Sequence, residues 1–185
     1  INKLKKLKIN VQNKEKKVVK FLEKIKEQEF LGYAYDGAEA SFELLAKRAF
    51  QRFKEFYNLE NFKVSDEKRK NNKNEFVPFS EARVKIFVGK KSFYSAAEGN
   101  GPIHALDMAL RNALIKFYPR IKKLNLVDYK VRILTPQDGT KALVRVRIES
   151  KNDKLKWSTI GVSHNVIDAS YIALNDSITY HLLKS

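Results

Sequence analysis

The chain has 185 residues, of which 43% are hydrophobic, 11% aromatic and 31% charged, and its formal net charge is +16. This length suffices for one domain with or without a helical appendage, and the aromatic content excludes a long disordered chain. The chain contains no Cys, which excludes disulfide scaffolds, thiolate nucleophiles and Cys-based zinc or iron–sulfur sites.

The N-terminal sequence gives no sign of a membrane or export signal. No run approaches the ~18 consecutive apolar residues of a membrane span, and the basic start lacks the apolar core of a signal peptide. We therefore expect a soluble, cytoplasmic protein with no membrane partner. Because the chain begins at Ile1 and not at Met, we also expect it to be a piece of a longer polypeptide.

The excess of basic residues invites a nucleic-acid hypothesis. Two features argue against it: the excess is spread along the chain, and Lys far outnumbers Arg. Proteins that read bases and phosphates tend to use Arg, because its guanidinium forms two parallel hydrogen bonds. We expect no nucleic-acid partner, and a basic α+β nucleic-acid-binding module stays as the alternative function.

Helical periodicity dominates the first third of the chain. Apolar residues recur at i, i+3, i+4 and i+7 over 18–25, which predicts a helix from near Asn13 to about Gly32. Asp36 fits the N-cap of a second helix, with Glu39 as its reciprocal partner. The predicted buried stripe of this second helix comprises Phe42, Leu45, Ala49, Phe53 and Phe56. Two such helices cannot form a domain alone, so residues 1–59 are predicted to be a helical linker subdomain.

From residue 61 onward the apolar period changes to two, which indicates strands. The predicted strands lie around 62–64, over 82–88 and from Phe93 onward, with a hairpin at Gly89–Lys90 and an exposed loop over 68–74. A Gly-rich segment at 98–102 then precedes a helical stripe from Ile103 to Phe117, which Pro119 closes.

The second half of the chain repeats this plan. It carries alternating segments at 129–133, 144–148 and 155–159 and a helix over 167–178. An offset of 64 residues relates four identical pairs: Ile103 and Ile167, Ala105 and Ala169, Ala109 and Ala173, Leu110 and Leu174. We therefore predict an α+β fold in which two βββα units, about 60–120 and 124–185, form one domain over 60–185, related by a pseudo-twofold.

Catalytic and metal-binding motifs are missing from the sequence. His104, His164 and His181 show no metal-ligand spacing, and no HExxH or GxSxG pattern occurs. We predict no catalytic residue, no metal ligand and no cofactor in this chain, which is therefore not expected to be an enzyme by itself.

Two segments carry groups that could bind a small ligand. Gly99-Asn100-Gly101 before a helix can leave backbone N–H groups unpaired at its positive end, where a carboxylate or phosphate binds. A glycine-rich turn that only lets a strand reverse into a helix explains the pattern equally well. Asp128 and Tyr129 offer a carboxylate for an ammonium group and an aromatic wall, which together suit an amino acid, although Asp128 could simply cap a turn.

Several blocks, arriving in order, resemble the C-terminal part of the 2-isopropylmalate synthase and citramalate synthase family. They are YAYDGAEASFELL at 33–45, AAEGNGP at 96–102, ALD at 105–107, DYKVRIL at 128–134 and WSTIGVS at 157–163. The resemblance spans about 20–185. Gly161-Val162-Ser163 and the helix after it are most similar to the citramalate synthase branch.

The resemblance implies a parent acyltransferase of branched-chain amino acid biosynthesis. Its N-terminal TIM barrel would bind a divalent metal and condense acetyl-CoA with a 2-oxo acid. Linker helices and a dimeric C-terminal domain would follow, and that domain would bind isoleucine or leucine as feedback inhibitor. This chain would then be the regulatory region of a homodimer, lacking the catalytic barrel, with isoleucine the favoured effector.

The resemblance also implies the effector-binding residues. Gly99, Asn100 and Gly101 would meet the effector's carboxylate, with His104 just beyond them. The ammonium contact and the apolar walls would come from Leu126, Asp128, Tyr129 and Ile133. At an offset of 64, the three residues 163–165 (Ser-His-Asn) replace Gly-Asn-Gly, so we expect side chains to crowd the second turn and the first to bind better.

Overall fold

The structure is a computed structural model that describes residues 2–12 and 14–185. Its helices are α1 (Asn2–Lys6), α2 (Glu15–Phe30), α3 (Glu39–Phe50), α4 (Pro102–Leu114) and α5 (Val166–Lys184). Its strands are β1 (Asn58–Lys70), β2 (Phe76–Val88), β3 (Lys91–Gly99), β4 (Asn125–Ile133), β5 (Val144–Lys151) and β6 (Lys156–Ser163). The helix start expected near Asn13 lies outside the described residues.

The chain divides into two compact units, and each is described by itself. Unit 1 comprises the residues up to 54 together with 125–183, and unit 2 comprises 55–124 together with 184–185. Each contains one antiparallel three-stranded sheet, β4-β5-β6 in unit 1 and β1-β2-β3 in unit 2. The predicted α+β class with two βββα units is confirmed, whereas the predicted domain boundary between 59 and 60 stays a prediction.

In unit 2, α4 covers one face of the sheet. The alternating residues Ala82, Val84 and Ile86 of β2 are fully buried, as are Leu106 and Leu110 of the helix. Period-two and period-3.6 apolar patterns therefore meet in one core, as the sequence predicts. The helix ends at Leu114, one turn before the predicted Phe117, and β1 continues to Lys70, so part of the predicted 68–74 loop is strand.

Unit 1 repeats this arrangement with α5 on its sheet. Val146 and Ile148 of β5 are fully buried. Thr159 of β6 donates a 2.8 Å hydrogen bond to the Ala173 carbonyl of α5, so a strand side chain bonds directly to the helix backbone. Gly161 allows β6 and α5 to approach each other closely, because a Cβ at this position would clash with the backbone of α5.

The pairing registers show that the two sheets are structural repeats. Ser80 pairs with Gly99 and Val84 with Ser95 in unit 2, and Val144 with Ser163 and Ile148 with Thr159 in unit 1, all at the offset of 64. Each sheet also has a register shift in its first strand, between Leu59 and Asn61 and between Leu126 and Asp128. The repeat predicted from the helices therefore extends to the strand pairing and to a β-bulge.

The N-terminal helices build a second core in unit 1. Phe21, Leu45, Phe50 and Ile160 are buried together, which places α2 and α3 against the side of the sheet that β6 forms. The Ile160 N–H donates a 3.1 Å hydrogen bond to Ser41 Oγ, so α3 satisfies the free edge of that strand.

The start of α3 differs from the prediction. Its N-cap is Ala38, with no side-chain capping bond, and not Asp36. Asp36 instead accepts a 2.6 Å hydrogen bond from Lys3 on α1, so a contact 33 residues away replaces the local cap. The predicted stripe is also partly wrong: Ala49 is exposed and Phe53 lies beyond the helix end. The buried positions of α3 are Ala40, Ser41, Glu43, Leu44, Leu45, Ala46 and Phe50.

Among the residues that the structure describes, none of the helices combines the length and apolar character that crossing a membrane requires.

Candidate functional site

The segment that joins β3 to α4, residues 99–104, is called the β3–α4 turn. Gly99 ends the strand where it passes closest to the helix: a Cβ there would lie 2.8 Å from the Ala105 Cα and 2.9 Å from the His104 carbonyl carbon. Gly101 has extended backbone (φ 167°, ψ 166°), and a Cβ there would meet nothing within 4 Å. The first glycine is therefore needed for packing, whereas the second leaves open space beside the turn.

The start of α4 presents backbone N–H groups that its own chain does not cap. The first hydrogen bond within the helix runs from the Ala105 N–H to the Gly101 carbonyl (3.0 Å). The N–H groups of Ile103 and His104 lie before this first bond and have no acceptor within the helix, and Pro102 has no N–H group. Among the described residues, no side chain caps the helix at Gly101, and the first turn carries no acidic residue.

One N–H group of the turn is already paired. The Asn100 N–H donates a 3.1 Å hydrogen bond to Nδ1 of His104. Because Nδ1 accepts this bond, the neutral imidazole carries its proton on Nε2. The side chains of both residues are exposed. The turn can thus offer an anion two backbone N–H groups, the Nε2–H and the positive end of a helix dipole.

The β4 group, defined as Leu126, Asp128, Tyr129 and Ile133, lies on the first strand of the unit 1 sheet. Asp128 accepts a 3.0 Å hydrogen bond from the Tyr129 N–H and forms a 2.7 Å ion pair with Lys130. The hydrogen bond from Lys130 holds the pKa of the Asp128 carboxyl below its usual value. Asp128 is therefore an ionised carboxylate that already binds an ammonium group.

Tyr129 contacts α5 through its hydroxyl. That hydroxyl lies 2.8 Å from Ser170 Oγ, and Ser170 itself donates to the Val166 carbonyl, so Tyr129 is the donor in the first bond. This bond fixes the ring beside the helix, and the residue is only partly exposed. Ile133 is 56% exposed and Val131 is 45% exposed, so this strand carries apolar surface that its unit does not cover.

The turn at the equivalent place in unit 1, residues 163–168, is the β6–α5 turn. Asn165 accepts hydrogen bonds from the N–H groups of Ile167 (2.8 Å) and Asp168 (3.3 Å), and its own N–H donates to Ser163 Oγ (3.1 Å). His164 bonds through Nδ1 to the Lys141 carbonyl (2.8 Å). The helix start is therefore capped by its own side chain, in contrast to the β3–α4 turn.

The expected site residues thus fall into two groups. Gly99, Asn100, Gly101 and His104 come together in one turn of unit 2, and the β4 group lies along one strand of unit 1. Sequence reasoning missed the Asn100–His104 hydrogen bond and the Asp128–Lys130 pair. The spacing of i and i+2 on a strand, which puts two side chains on one face, was the available signal for the second.

Within residues 2–12 and 14–185, no group of three or more His, Asp or Glu side chains could hold a metal ion.

The sequence has relatives among known proteins. Over residues 36–182 it matches the family described as the LeuA allosteric (dimerisation) domain. It is 50% identical over 177 residues to an (R)-citramalate synthase of Geobacter sulfurreducens, covering 96% of this chain and 33% of that protein. With an (R)-citramalate synthase of Aquifex aeolicus it shares 48% identity over 184 residues, covering 100% and 34%.

A 2-isopropylmalate synthase of Buchnera aphidicola subsp. Rhopalosiphum padi is 32% identical over 96 residues, which covers 51% of this chain and 17% of that protein. The expected similarity to citramalate synthases before 2-isopropylmalate synthases is confirmed. The chain spans about a third of the length of the citramalate synthases that it matches.

Proposed function

The chain belongs to the LeuA allosteric (dimerisation) domain family, and on that premise we propose that it is the regulatory domain of a citramalate synthase. In this proposal it binds a branched-chain amino acid, with isoleucine favoured over leucine, as a feedback inhibitor. Its relatives are named as citramalate synthases, and membership in a dimerisation family supports a homodimer.

Catalysis is assigned to the part of the parent protein that this chain does not include. That part would be the barrel that condenses acetyl-CoA with pyruvate and holds the divalent metal. The role of this chain is to bind the effector and to communicate with the barrel, so we expect no turnover from it alone.

The observation that carries the proposal is the difference between the two helix starts. Asn165 caps the N–H groups of Ile167 and Asp168 at the start of α5, whereas α4 has no side-chain cap. A carboxylate at the β3–α4 turn would accept from N–H groups that no side chain of the described residues caps. It would also gain the favourable field of the helix dipole.

The β4 group supplies complementary chemistry in its own unit. Asp128 already holds the Lys130 ammonium at 2.7 Å, in a pair whose side chains are 36% and 70% exposed. Solvent-exposed pairs of this kind contribute little to stability, so an effector's ammonium group could replace Lys130 at little cost. Ile133 is also exposed, but residues an odd number apart on a strand face opposite sides of the sheet, so its apolar surface lies on the face away from Asp128.

Feedback requires that the effector bind the inhibited arrangement more tightly than the active one, because equal binding shifts no equilibrium. Allosteric coupling of this kind typically amounts to ~1–3 kcal/mol. We assign its transmission toward the barrel to α2 and α3, which pack on the β6 side of unit 1.

A thermal-shift screen tests the proposal. Isoleucine, leucine and valine are titrated into the chain, with alanine as the unbranched control. We expect at least one branched amino acid to raise the melting temperature in a saturable manner, and His164→Ala, which changes the residue of the β6–α5 turn equivalent to Asn100, to preserve that response. No response to any of the three would overturn the proposal. A salt-sensitive affinity for a DNA oligonucleotide in its place would favour the nucleic-acid-binding alternative.

A further inference from the structure

The chain contains one Asn that is followed by Gly, Asn100 in the β3–α4 turn. In an Asn-Gly sequence the backbone nitrogen of the Gly can attack the carbonyl carbon of the Asn side chain. A Cβ on the second residue would shield that nitrogen and restrict the backbone angles, and Gly has no Cβ, so the reaction is easiest at Gly. Every other Asn of the chain precedes a residue with a side chain.

Both reacting groups are accessible in the β3–α4 turn. Asn100 is exposed, and its hydrogen bond to His104 uses the backbone N–H and not the side chain. Among the residues that the structure describes, neither the Asn100 side-chain amide nor the Gly101 N–H has a hydrogen-bond partner. A Cβ at Gly101 would meet no atom within 4 Å, so the space beside its backbone is open. The two groups can therefore approach each other without breaking a hydrogen bond.

The equivalent turn of unit 1 lacks this arrangement. Asn165 precedes Val166, whose branched Cβ crowds the backbone nitrogen. The Asn165 side chain is also held in place, because its Oδ1 accepts hydrogen bonds from the N–H groups of Ile167 (2.8 Å) and Asp168 (3.3 Å). The repeat thus supplies an internal comparison, in which two matching turns differ in the reactivity of their Asn.

We propose that Asn100 is a site of spontaneous deamidation, which places a negative charge in the β3–α4 turn. The Gly101 nitrogen forms a bond to the side-chain carbonyl carbon of Asn100 and gives up its proton, and the side-chain nitrogen leaves as ammonia. The product is a five-membered succinimide ring. Water then opens the ring at either of its two carbonyl groups, which yields aspartate or isoaspartate at position 100. Water is the only co-reactant that the reaction needs.

The consequence for regulation rests on the proposed function, in which this turn receives the carboxylate of the effector. A carboxylate on residue 100 would repel the effector's carboxylate and compete with it for the N–H groups of Ile103 and His104. A negative charge near the start of a helix stabilises the helix, so the modified chain should keep its fold. Deamidation would therefore reduce effector binding as the protein ages without unfolding it.

Peptide mass spectrometry tests the reaction by itself. The folded wild-type chain is incubated at mildly alkaline pH, and the conversion of amide to acid is followed at Asn100, Asn165 and Asn72. Asn72 is exposed and precedes Lys73, so it controls for exposure. We expect conversion at Asn100 to be at least about tenfold faster than at the other two, and Gly101→Ala to remove most of this difference. Similar rates at the three Asn residues would refute the modification site.

Calorimetric titration of isoleucine tests the consequence. The converted chain and Asn100→Asp should bind at least about 3-fold more weakly than the fresh wild-type chain, with an unchanged circular dichroism spectrum. Asn100→Gln is the matched control, because its side chain is one carbon longer and does not form the five-membered ring. The same incubation should leave its affinity as it was. Equal affinity in the fresh and converted wild-type chains would overturn the effect on binding.

The two measurements distinguish failure of this inference from failure of the proposed function. If the fresh chain binds isoleucine but Asn100 converts no faster than Asn72, the modification site is refuted and the proposed function stands. If the fresh chain binds no branched amino acid, the proposed function fails, and the mass measurement still decides whether Asn100 deamidates.

Discussion

Nδ1 of His104 accepts a 3.1 Å hydrogen bond from the backbone N–H of Asn100, four residues earlier in the chain. This bond closes the β3–α4 turn and fixes the orientation of the imidazole ring. It also leaves the Nε2–H of the neutral ring available as a donor. The proposed carboxylate receptor therefore depends on a side chain that sets the shape of its own turn.

The first prediction concerns this histidine. His104→Ala should reduce the affinity for the effector by about 2- to 13-fold, the range that corresponds to one hydrogen bond of ~0.5–1.5 kcal/mol. His104→Asn places an amide oxygen near the position of Nδ1, so it should keep the turn closed and lose less affinity. Calorimetric titration of isoleucine measures both. Equal affinity for isoleucine in the wild type and in His104→Ala would mean that His104 does not contact the effector.

The two glycines of the β3–α4 turn should behave differently. Gly99→Ala introduces a Cβ 2.8 Å from the Ala105 Cα, and the forced backbone shift should lower the free energy of unfolding by about 1–3 kcal/mol. Gly101→Ala meets no atom within 4 Å, so the free energy of unfolding should change by less than about 1 kcal/mol. Denaturant unfolding separates the two. A similar loss in both variants would contradict the described packing.

Gly101→Ala should nevertheless weaken effector binding, because its methyl group would occupy the space where the carboxylate approaches the backbone. The variant thus separates binding from folding. Unchanged affinity for isoleucine in a folded Gly101→Ala chain would count against the β3–α4 turn as the receptor.

Ser41 should be important for the stability of unit 1. Its hydroxyl accepts from the Ile160 N–H at 3.1 Å and donates to Asp176 Oδ2 at 2.7 Å. Ser41→Ala leaves a buried N–H without its acceptor, so the free energy of unfolding should fall by about 1–3 kcal/mol. Ser65→Ala, which removes an exposed 3.4 Å bond to Glu67, is the matched control and should change it by less than about 0.5 kcal/mol. If Ser41→Ala and Ser65→Ala lowered the free energy of unfolding in urea equally, the bond between Ser41 and Ile160 would stabilise the fold no more than an exposed bond does.

Alkaline pH should destabilise unit 1. Burial, followed by the nearby Glu43 carboxylate, raises the pKa of Tyr180 above its usual value of 10.0, and burial also raises the pKa of Tyr33 and Tyr35. Their neutral forms are favoured in the folded state, so this contribution is complete below pH ~10. It is lost as the pH rises further, because the unfolded chain then releases protons that the folded chain keeps.

Melting temperatures recorded between pH 8 and pH 11 test this prediction. The wild-type midpoint should fall above pH ~10, and the fall should be smaller for Tyr180→Phe, which has no phenol to ionise. An identical pH dependence in the two chains would mean that Tyr180 does not contribute.

Much of the fold could be predicted because it depends on periodicity. The change from helical to alternating spacing near residue 61 marks the first sheet, and the offset of 64 that relates Ala105 to Ala169 reappears in the pairing of the strands. Such patterns record which face of each element is buried. Helix caps were less predictable, since Asp36 bonds to Lys3, which is distant in sequence.

The candidate site could be predicted as a set of residues but not as an arrangement. The Gly-Asn-Gly pattern indicated an open helix start, but it could not show that His104 bonds to Asn100. Asp128 was expected to bind an ammonium group, and its pairing with Lys130 depends on the strand geometry. These contacts depend on side-chain rotamers and on the distances between atoms. The spacing of residues along the sequence determines neither.

The most direct test of the central claim is a calorimetric titration of isoleucine into the wild-type chain. The account predicts saturable binding that Gly101→Ala weakens and His164→Ala leaves intact. Absence of heat in the wild-type chain with isoleucine, leucine and valine alike, or binding that depends on His164 and not on the β3–α4 turn, would contradict it.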